Sequence, residues 1–237
     1  DTVRGLVALP NGDFVAFGDF SLAEGAAVSR LARWNGQAWW AMTPAFDPIC
    51  ATVDVHGNLW MAGASHVGRW TGTGWLTIGS QNNAVTCLVL GASQQPIIGC
   101  SVQPGYGPAV ARWNGTQWLS YGAGLDGPVL TLLLRRNGDL IAGGVFLNSG
   151  TTSVSRIARW DGSAWLPLGT GVDGPVRALV ELPNGDLIAA GDFITDGQSP
   201  LNLIARWDGS AWRPLGAGFA GNPGVSVRAL QVLPNGD

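Results

Sequence analysis

The segment Ile157-Ala158-Arg159-Trp160-Asp161-Gly162-Ser163-Ala164-Trp165 joins an apolar run, a polar turn and a second tryptophan. The same nine residues return at 204–212, and looser copies begin at Leu31, Val67 and Val110. The first tryptophans of successive copies are 36, 43, 47 and 47 residues apart. Periods in the forties are typical of propeller blades, each built from four strands. The sequence therefore indicates a repeat protein that contains five copies of one module.

A second landmark, a turn signal, precedes the nine-residue segment in most copies. Asn-Gly between two apolar runs is a strong hairpin signal, because glycine accepts a positive φ without strain. The turn signals lie at 10–13, 56–58, 136–139, 183–186 and 234–237, and in the third copy Ser93-Gln94-Gln95-Pro96 replaces Asn-Gly. The regular return of this turn predicts a hairpin at the start of each module.

The fifth copy predicts the strands of a blade most clearly. Strand a covers 176–182, strand b 187–191, strand c 203–207 and strand d 212–215, with a variable loop at 194–202. Such lengths suit strands and are too short for helices. Strands a and b are almost wholly apolar, which is typical of a sheet covered on both faces, as the blades of a propeller are by their neighbours. The prediction is an all-β β-propeller of four-stranded antiparallel blades.

The predicted blades form a single domain over 1–237 and end in part of a sixth repeat. They cover about 3–42, 49–78, 85–121, 129–168 and 176–215, and 227–237 repeats strand a without strands b, c or d. In one interpretation the chain belongs to a larger ring, whose next blade is missing or is supplied by another copy. In the other, five blades close and the last strand is surplus or swapped. We favour the first, because the sequence starts and stops within a repeat without a capping segment. An unpaired strand also invites self-association.

Loops on one face of the predicted disc differ between copies. The tight a–b and c–d turns lie on one face, and the b–c and d–a connections lie on the other. The b–c loops cover 21–29, 102–109, 147–155 and 194–202, whereas blade 2 has only Ser65-His66 there. A rigid scaffold with one variable loop face usually presents its function on that face.

The repeat resembles known propeller families. Gly143-Gly144, the aromatic strand c and the strand d that begins with tryptophan resemble kelch-type, galactose-oxidase-like repeats. The Pro-Asn-Gly-Asp turn is similar to the Pro-Asp-Gly turn of WD-type and related bacterial surface-protein repeats. The resemblance covers the whole chain and implies a propeller, but its residues form the fold and transfer no catalytic role. Blade 2 departs from it with His56 and Ala62-Gly63, and blade 3 departs from it at Ser93–Pro96.

Composition excludes several classes of protein. The 237 residues are 46% hydrophobic and 12% charged, with 36 glycines, which is too apolar for a disordered chain. The net charge is -3 and lysine is absent, so nucleic acid and anionic membrane are poor candidates as partners. No apolar run reaches the roughly 18 residues of a membrane span. No signal peptide is visible, so one was removed or the sequence is an internal piece.

Repeated tryptophans and arginines have two interpretations each. The tryptophans could be platforms for sugar rings, but their repetition within strands favours packing between blades. The arginine before each first tryptophan could bind anions, but we favour a structural role with an acceptor such as Asp19 or Asp192 in two blades. The repeated residues are Trp34, Trp39, Trp70, Trp75, Trp113, Trp118, Trp160, Trp165, Trp207 and Trp212, with Arg33, Arg69, Arg112, Arg159 and Arg206.

No catalytic, metal-binding or cofactor-binding residue can be assigned from the sequence. His56 lies in a turn and His66 in a truncated loop, and neither has a visible acidic partner for metal or nucleophile chemistry. Asp126 and Asp173 each begin an Asp-Gly loop, where a calcium site is the alternative to an ordinary turn. We favour the turn, and expect no cofactor.

The three cysteines lack metal-binding or redox spacing. Cys87 and Cys100 lie opposite each other, near enough for a disulfide, if the a–b turn of blade 3 has two residues. A type I turn with a glycine bulge shifts the register by one residue and separates them. A Cys87–Cys100 bridge is therefore a conditional hypothesis, and Cys50 is expected to be a small apolar filler.

The sequence favours a non-catalytic extracellular or cell-surface module that binds or assembles through its variable-loop face. A multivalent glycan-binding lectin is the first alternative, and it would need similar pockets in several blades. A propeller-type glycoside hydrolase or lyase is the second, and it would need a single cluster of acids with raised pKa in a cleft. The expected partner is a protein or glycan of unknown identity.

Overall fold

The computed structural model describes residues 2–80, 82–102, 108–219 and 224–233. Within these ranges the secondary structure is all β, without helices, and five four-stranded antiparallel sheets follow one another along the chain. The sheets are the blades of a five-bladed β-propeller, which confirms the predicted fold class.

The strands are numbered β1 to β24 in chain order. Four strands form each blade, and the other four lie in loops. Blade 1 contains β1 (Val3–Ala8), β2 (Phe14–Gly18), β5 (Leu31–Trp34) and β6 (Trp39–Ala41). Blade 2 contains β7 (Cys50–Val53), β8 (Leu59–Gly63), β9 (His66–Trp70) and β10 (Trp75–Ser80). Blade 3 contains β11 (Val85–Leu90), β12 (Pro96–Cys100), β13 (Val110–Trp113) and β14 (Trp118–Ser120). Blade 4 contains β15 (Val129–Leu134), β16 (Leu140–Gly144), β19 (Ile157–Trp160) and β20 (Trp165–Pro167). Blade 5 contains β21 (Val176–Glu181), β22 (Leu187–Gly191), β23 (Ile204–Trp207) and β24 (Trp212–Pro214).

Two short hairpins lie inside b–c loops. They pair β3 (Leu22–Ala23) with β4 (Ala26–Ala27) in blade 1, and β17 (Asn148–Ser149) with β18 (Thr152–Ser153) in blade 4. In blade 5 a single bridge between Thr195 and Pro200 takes the same place.

The described chain forms two compact units. The first holds blades 1 and 2 with the part of blade 3 up to Ile98 and Arg112–Leu119, and the second holds the remainder of blade 3 with blades 4 and 5. In the first unit, Val15, Leu31 and Met61 lie in one apolar core between blades 1 and 2. In the second, Ile141 and Leu187 lie in a core between blades 4 and 5. This packing covers the apolar strands b that the sequence predicts to be buried.

The a–b turn has three residues. In blade 5 Leu182 N donates to Asp186 O at 2.8 Å, Gly185 N donates to Leu182 O at 2.9 Å, and Gly185 has φ +90°. The side chain of Asn184 accepts from Asp186 N at 3.1 Å and fixes the turn from within. A type I turn followed by a left-handed glycine is the usual three-residue hairpin. It moves the pairings of strands a and b from Ala178 to Glu181 by one residue from the register of a two-residue turn.

The same turn in blade 3 removes the geometric condition for the cysteine bridge. Gly91 N donates to Gln95 O at 2.9 Å, and Gln94 takes the left-handed position at φ +60°. Cys87 then lies in register with position 99 and not with Cys100, because the loop is one residue longer than the bridge requires. The structure holds all three cysteines as thiols.

The c–d turns are fixed by a side-chain acceptor at their first residue. Asp208 Oδ1 accepts from Ser210 N and Ala211 N at 2.9 Å each, and Asp161 does the same one blade earlier. Asparagine fills this role in blades 1 and 3 and Thr71 fills it in blade 2, which explains why only short side chains with an oxygen acceptor stand at this repeat position. The hydrogen bond from the Arg213 side chain and those from the turn amides hold the pKa of Asp208 well below its usual range.

The turn brings the two tryptophans of each blade into contact. Their ring centroids are 5.3 Å apart in blades 2 and 3 and 5.4 to 5.6 Å apart in the others. The second indole also reaches the previous blade. Trp212 Nε1 donates to Leu168 O at 3.0 Å, and Trp75 Nε1 donates to Thr43 O at 2.9 Å. Trp212 is 2% exposed. The pair thus links strands c and d and then one blade to the next.

Residues 224–233 lie against blade 5. Val227 N donates to Gly191 O at 3.2 Å, and Val227 and Leu230 pack on Ile188 and Ile204. This is the place expected for an additional inner strand, although no strand ladder forms there within the described ranges. The predicted turn at 234–237 lies outside the described residues.

Substituting Trp212 by phenylalanine is expected to lower the free energy of unfolding by about 1–3 kcal/mol, because Leu168 O loses its donor in a buried setting. Trp118 is the matched control: its buried Nε1 has no acceptor among the described residues. Trp118→Phe should cost clearly less in a urea unfolding series. Equal losses in the two variants would contradict a structural role for the indole hydrogen bond.

All three cysteines are expected to react with a thiol reagent in denaturant without reductant. In the native protein Cys100 should stay unmodified at pH 8, because burial raises the pKa of its thiol to about 12 and removes the reactive thiolate. Intact mass and peptide mapping measure both outcomes. A single modified cysteine in the denatured, unreduced protein would instead restore the bridge hypothesis.

Candidate functional site

The repeated arginines pair with the aspartate of the a–b turn. Arg33 Nε donates to Asp13 Oδ2 at 2.6 Å. The equivalent nitrogen–oxygen distances are 3.5 Å for Arg159 with Asp139 and 3.3 Å for Arg206 with Asp186. The guanidinium of strand c therefore ties strand c to the turn before strand b. In these three blades each charge is already compensated within its own sheet.

The prediction that Asp19 and Asp192 accept hydrogen bonds from the repeated arginines of strand c is wrong. Asp19 binds Arg4 at 3.0 Å, and Asp192 binds Arg177 Nε at 2.8 Å. Both of those arginines are on strand a. Strand c lies on the other side of strand b, and its arginine side chain extends to the end of strand b that is next to the a–b turn. The hydrogen bond that Arg177 donates to Asp192 also raises the pKa of Arg177.

Blade 2 lacks the turn aspartate and uses another arrangement. Asn58 stands at that position, and its Nδ2 donates to Asp54 Oδ2 at 2.8 Å, as does Trp60 Nε1 at 3.1 Å. Burial alone would raise the pKa of Asp54, but the hydrogen bonds from Asn58 and Trp60 outweigh it and leave the pKa lowered. Arg69 lies over the Trp60 ring, 5.8 Å from its centroid. The extra tryptophan of this blade thus replaces the missing ion pair.

On the variable-loop face, the carboxylates of Asp126 and Asp173 accept hydrogen bonds from backbone amides. Asp126 Oδ1 accepts from Leu147 N at 2.7 Å and from Asn148 N at 2.9 Å. Asp173 Oδ1 accepts from Ile194 N at 2.7 Å. Each carboxylate fastens the d–a loop to the b–c loop of the following blade. Of the two sequence interpretations, this geometry favours the structural turn.

In the same loops, a buried phenylalanine is followed by an exposed aliphatic residue. Phe146 is 1% exposed and Phe193 is fully buried, whereas the next residues, Leu147 and Ile194, are 46% and 60% exposed. The chain leaves the blade 5 loop through Leu203 at φ +73°, a strained value for such a residue, and Leu203 N donates to Phe193 O at 2.8 Å. The backbone is therefore held in one conformation at both ends of the loop.

The carboxyl groups of the described chain with a shifted pKa share one direction of shift. Every carboxyl group with a shifted pKa is shifted downward, as the hydrogen bond from Arg33 lowers that of Asp13. Within the residues described, no group of three His, Cys, Asp or Glu side chains could hold a metal ion. His66 stacks on Phe46 at 6.0 Å, and His56 lies at the turn where the sequence placed it.

Two cavities stand out in the first unit. One of about 240 Å³ lies at the b–c loop of blade 1, beside Asp19, Phe20 and Arg30. The other, of about 350 Å³, lies between blades 1 and 2 among their a–b turns and includes Asn11 and His56. Sequence reasoning missed the second cavity, because its walls come from two repeats whose distance in space no periodicity reveals.

Comparisons with known proteins agree on the fold. No protein-family model matches the chain, and no curated protein matches it in sequence. A virginiamycin B lyase from Staphylococcus aureus has a TM-score of 0.64 at 12% identity, over 95% of this chain and 72% of that one. YCF48 bound to a D1 peptide has a TM-score of 0.56 at 17% identity, over 93% and 71%. The extracellular domain of BT4673 from B. thetaiotaomicron has a TM-score of 0.51 at 10% identity, over 91% and 30%. At these identities the likeness establishes the propeller fold, and not a kelch-like family.

One further observation concerns membranes. The described part of the chain contains no helix with the length and hydrophobicity of a membrane span.

Substituting Asp126 by alanine is expected to loosen the blade 4 loop, because Leu147 N and Asn148 N lose their acceptor. Amide hydrogen exchange should accelerate at 147–149, while the equivalent amides of Ile194 and Thr195, held by Asp173, serve as the internal control. Equal acceleration in both loops would indicate global destabilisation instead.

The Asp126 contact is also expected to depend on pH. Although burial opposes it, hydrogen bonds from Asn148 and Leu147 lower the pKa of Asp126. A lowered folded-state pKa adds stability that is fully present above the unfolded value of about 3.9 and is lost as pH falls through the folded value. Wild-type exchange at 147–149 should therefore approach that of Asp126→Ala only below about pH 4, on the same reference scale.

Proposed function

We propose that this propeller is a non-catalytic module that binds a protein partner, in the form of an extended peptide segment, through its variable-loop face. The observation that carries the proposal is the repeated presentation of an exposed aliphatic side chain, Leu147 or Ile194, on a loop fastened by an aspartate. Apolar side chains held rigidly at a surface favour protein recognition, since little conformational freedom is lost on binding.

The chemistry of the loop face supports a peptide rather than a charged ligand. The carboxylates of Asp126 and Asp173 are occupied by backbone amides, and Asp192 is occupied by Arg177. Exposed apolar side chains lie on the same loops, including Val145 at 42% and Phe219 at 52%. YCF48, which shares the fold, is bound to a peptide, and this makes peptide binding a natural use of such a scaffold.

An extracellular or cell-surface location belongs to the same proposal. One structural neighbour is an extracellular domain, and a surface without lysine but with rigid recognition loops suits such a setting. A lyase is also among the neighbours, but the lowered carboxyl pKa values in the described residues suit structural hydrogen bonds better than acid catalysis.

Selection of a displayed peptide library on the purified protein tests the proposal. Enriched peptides should be rich in apolar residues, and Ile194→Asp or Leu147→Asp should weaken their binding at least about tenfold, since each places a charge in an apolar contact. Leu76→Asp, on the outer strand of blade 2 and 50% exposed, is the matched control and should leave affinity unchanged. Peptides that bind the loop variants as well as the wild type would overturn the proposal.

A further inference from the structure

The cavity between blades 1 and 2 lies on the tight-turn face, away from the variable loops. Its walls are the two a–b turns, with Asn11 from blade 1 and His56 and Asn58 from blade 2, together with Arg33 and Trp70 from the two c strands. The volume of about 350 Å³ falls at the lower end of pockets that bind small molecules.

The corresponding place between blades 4 and 5 is closed by an ion pair. Arg135 Nε donates to Glu181 Oε1 at 3.0 Å, and its Nη2 donates to Gly185 O at 2.7 Å. Leu9 and Val53 occupy the positions of Arg135 and Glu181 in blades 1 and 2. Neither side chain can reach across the gap with a hydrogen bond. Leu9 has its counterpart in Leu182 of blade 5, so the Arg135–Glu181 pair is the change from the repeat, and the cavity lies where blades 1 and 2 lack such a pair.

Polar groups in the cavity are held in place and carry no net charge. Arg33 is fixed by Asp13, and Asn58 Nδ2 is fixed by Asp54. These bonds leave Arg33 Nη1 as a donor and Asn58 Oδ1 as an acceptor, neither with a partner among the described residues. The His56 imidazole adds a group that either donates or accepts. Such a mixture suits hydroxyl groups, which both donate and accept, better than it suits a phosphate or carboxylate.

The rest of the lining is apolar and includes an indole. Val15 and Met42 of blade 1 and Leu59 of blade 2 line it together with Trp70. A pyranose ring has the same division, with an apolar face of C–H groups and a rim of hydroxyls, and an indole offers a large rigid surface for the apolar face.

We infer that the cavity between blades 1 and 2 binds one neutral sugar ring, with Trp70 against the ring and Arg33, Asn58 and His56 at its hydroxyls. The Arg135–Glu181 pair occupies the corresponding place between blades 4 and 5. The cavity shares no residue with the b–c loops that carry Leu147 and Ile194.

Saturation-transfer NMR with methyl glycosides of glucose, galactose, mannose and N-acetylglucosamine tests the inference. At least one glycoside should bind the wild-type protein with a dissociation constant of about 1 mM, as expected for a few hydrogen bonds and one stacked ring. The double variant Leu9→Arg with Val53→Glu introduces between blades 1 and 2 the ion pair that Arg135 and Glu181 form between blades 4 and 5. It should abolish the saturation-transfer signal of the glycoside. Ile194→Asp is the control on the loop face and should bind the glycoside like the wild type.

A second variant keeps the test decisive if the double variant does not fold. His56 lies at an exposed turn, so His56→Ala should retain the thermal unfolding midpoint and bind the same glycoside about tenfold more weakly, having lost one hydrogen bond. The inference is overturned if no glycoside binds the wild type, if the folded double variant binds unchanged, or if His56→Ala has no effect. Loss of binding in Ile194→Asp would also overturn it, because the sugar would then lie on the loop face.

Discussion

The structure depends on covering both faces of each blade. Strands b of all five blades are apolar along their length, and Leu187 and Ile141 have no exposed surface. A four-stranded sheet with two apolar faces cannot stay in water alone, so each blade is stable only against a neighbour. The indole hydrogen bond from Trp212 to Leu168 O sets how that neighbour sits, because a buried carbonyl without a donor costs free energy.

Charges serve the same architecture. The ion pairs of Arg33, Arg159 and Arg206 join strand c to the a–b turn within one blade, and those of Arg4 and Arg177 join strands a and b at the other end. Most are partly exposed, so each adds little to stability, but each restricts the geometry of its hairpin. Because the scaffold is fixed in this way, residues that leave the repeat pattern become available for function.

Two features of this scaffold define the surfaces to which function is assigned. On the loop face, the residues after Phe146 and Phe193 are apolar and exposed where the scaffold needs nothing from them. On the turn face, a cavity lies between blades 1 and 2, where Leu9 and Val53 form no ion pair like that of Arg135 with Glu181. Both features depend on side chains presented by a backbone that repeats from blade to blade.

Much of the fold could be predicted from the sequence by itself, because the spacing of the repeated motifs marks where each blade begins and ends. The paired tryptophans, the Asn-Gly turns and the apolar strands predicted an all-β propeller with five blades, since each signal acts over a few residues. The sequence did not determine which acid meets which arginine, because Asp13 and Asp19 are both close in the chain and only the side of the sheet distinguishes them. It left the cysteine register open, because one residue in a turn decides it. Tertiary structure alone decided the hydrogen bonds that Asp126 and Asp173 accept and the cavity beside Trp70. Each joins residues from separate loops or blades, and these residues come close together only when the sheets pack.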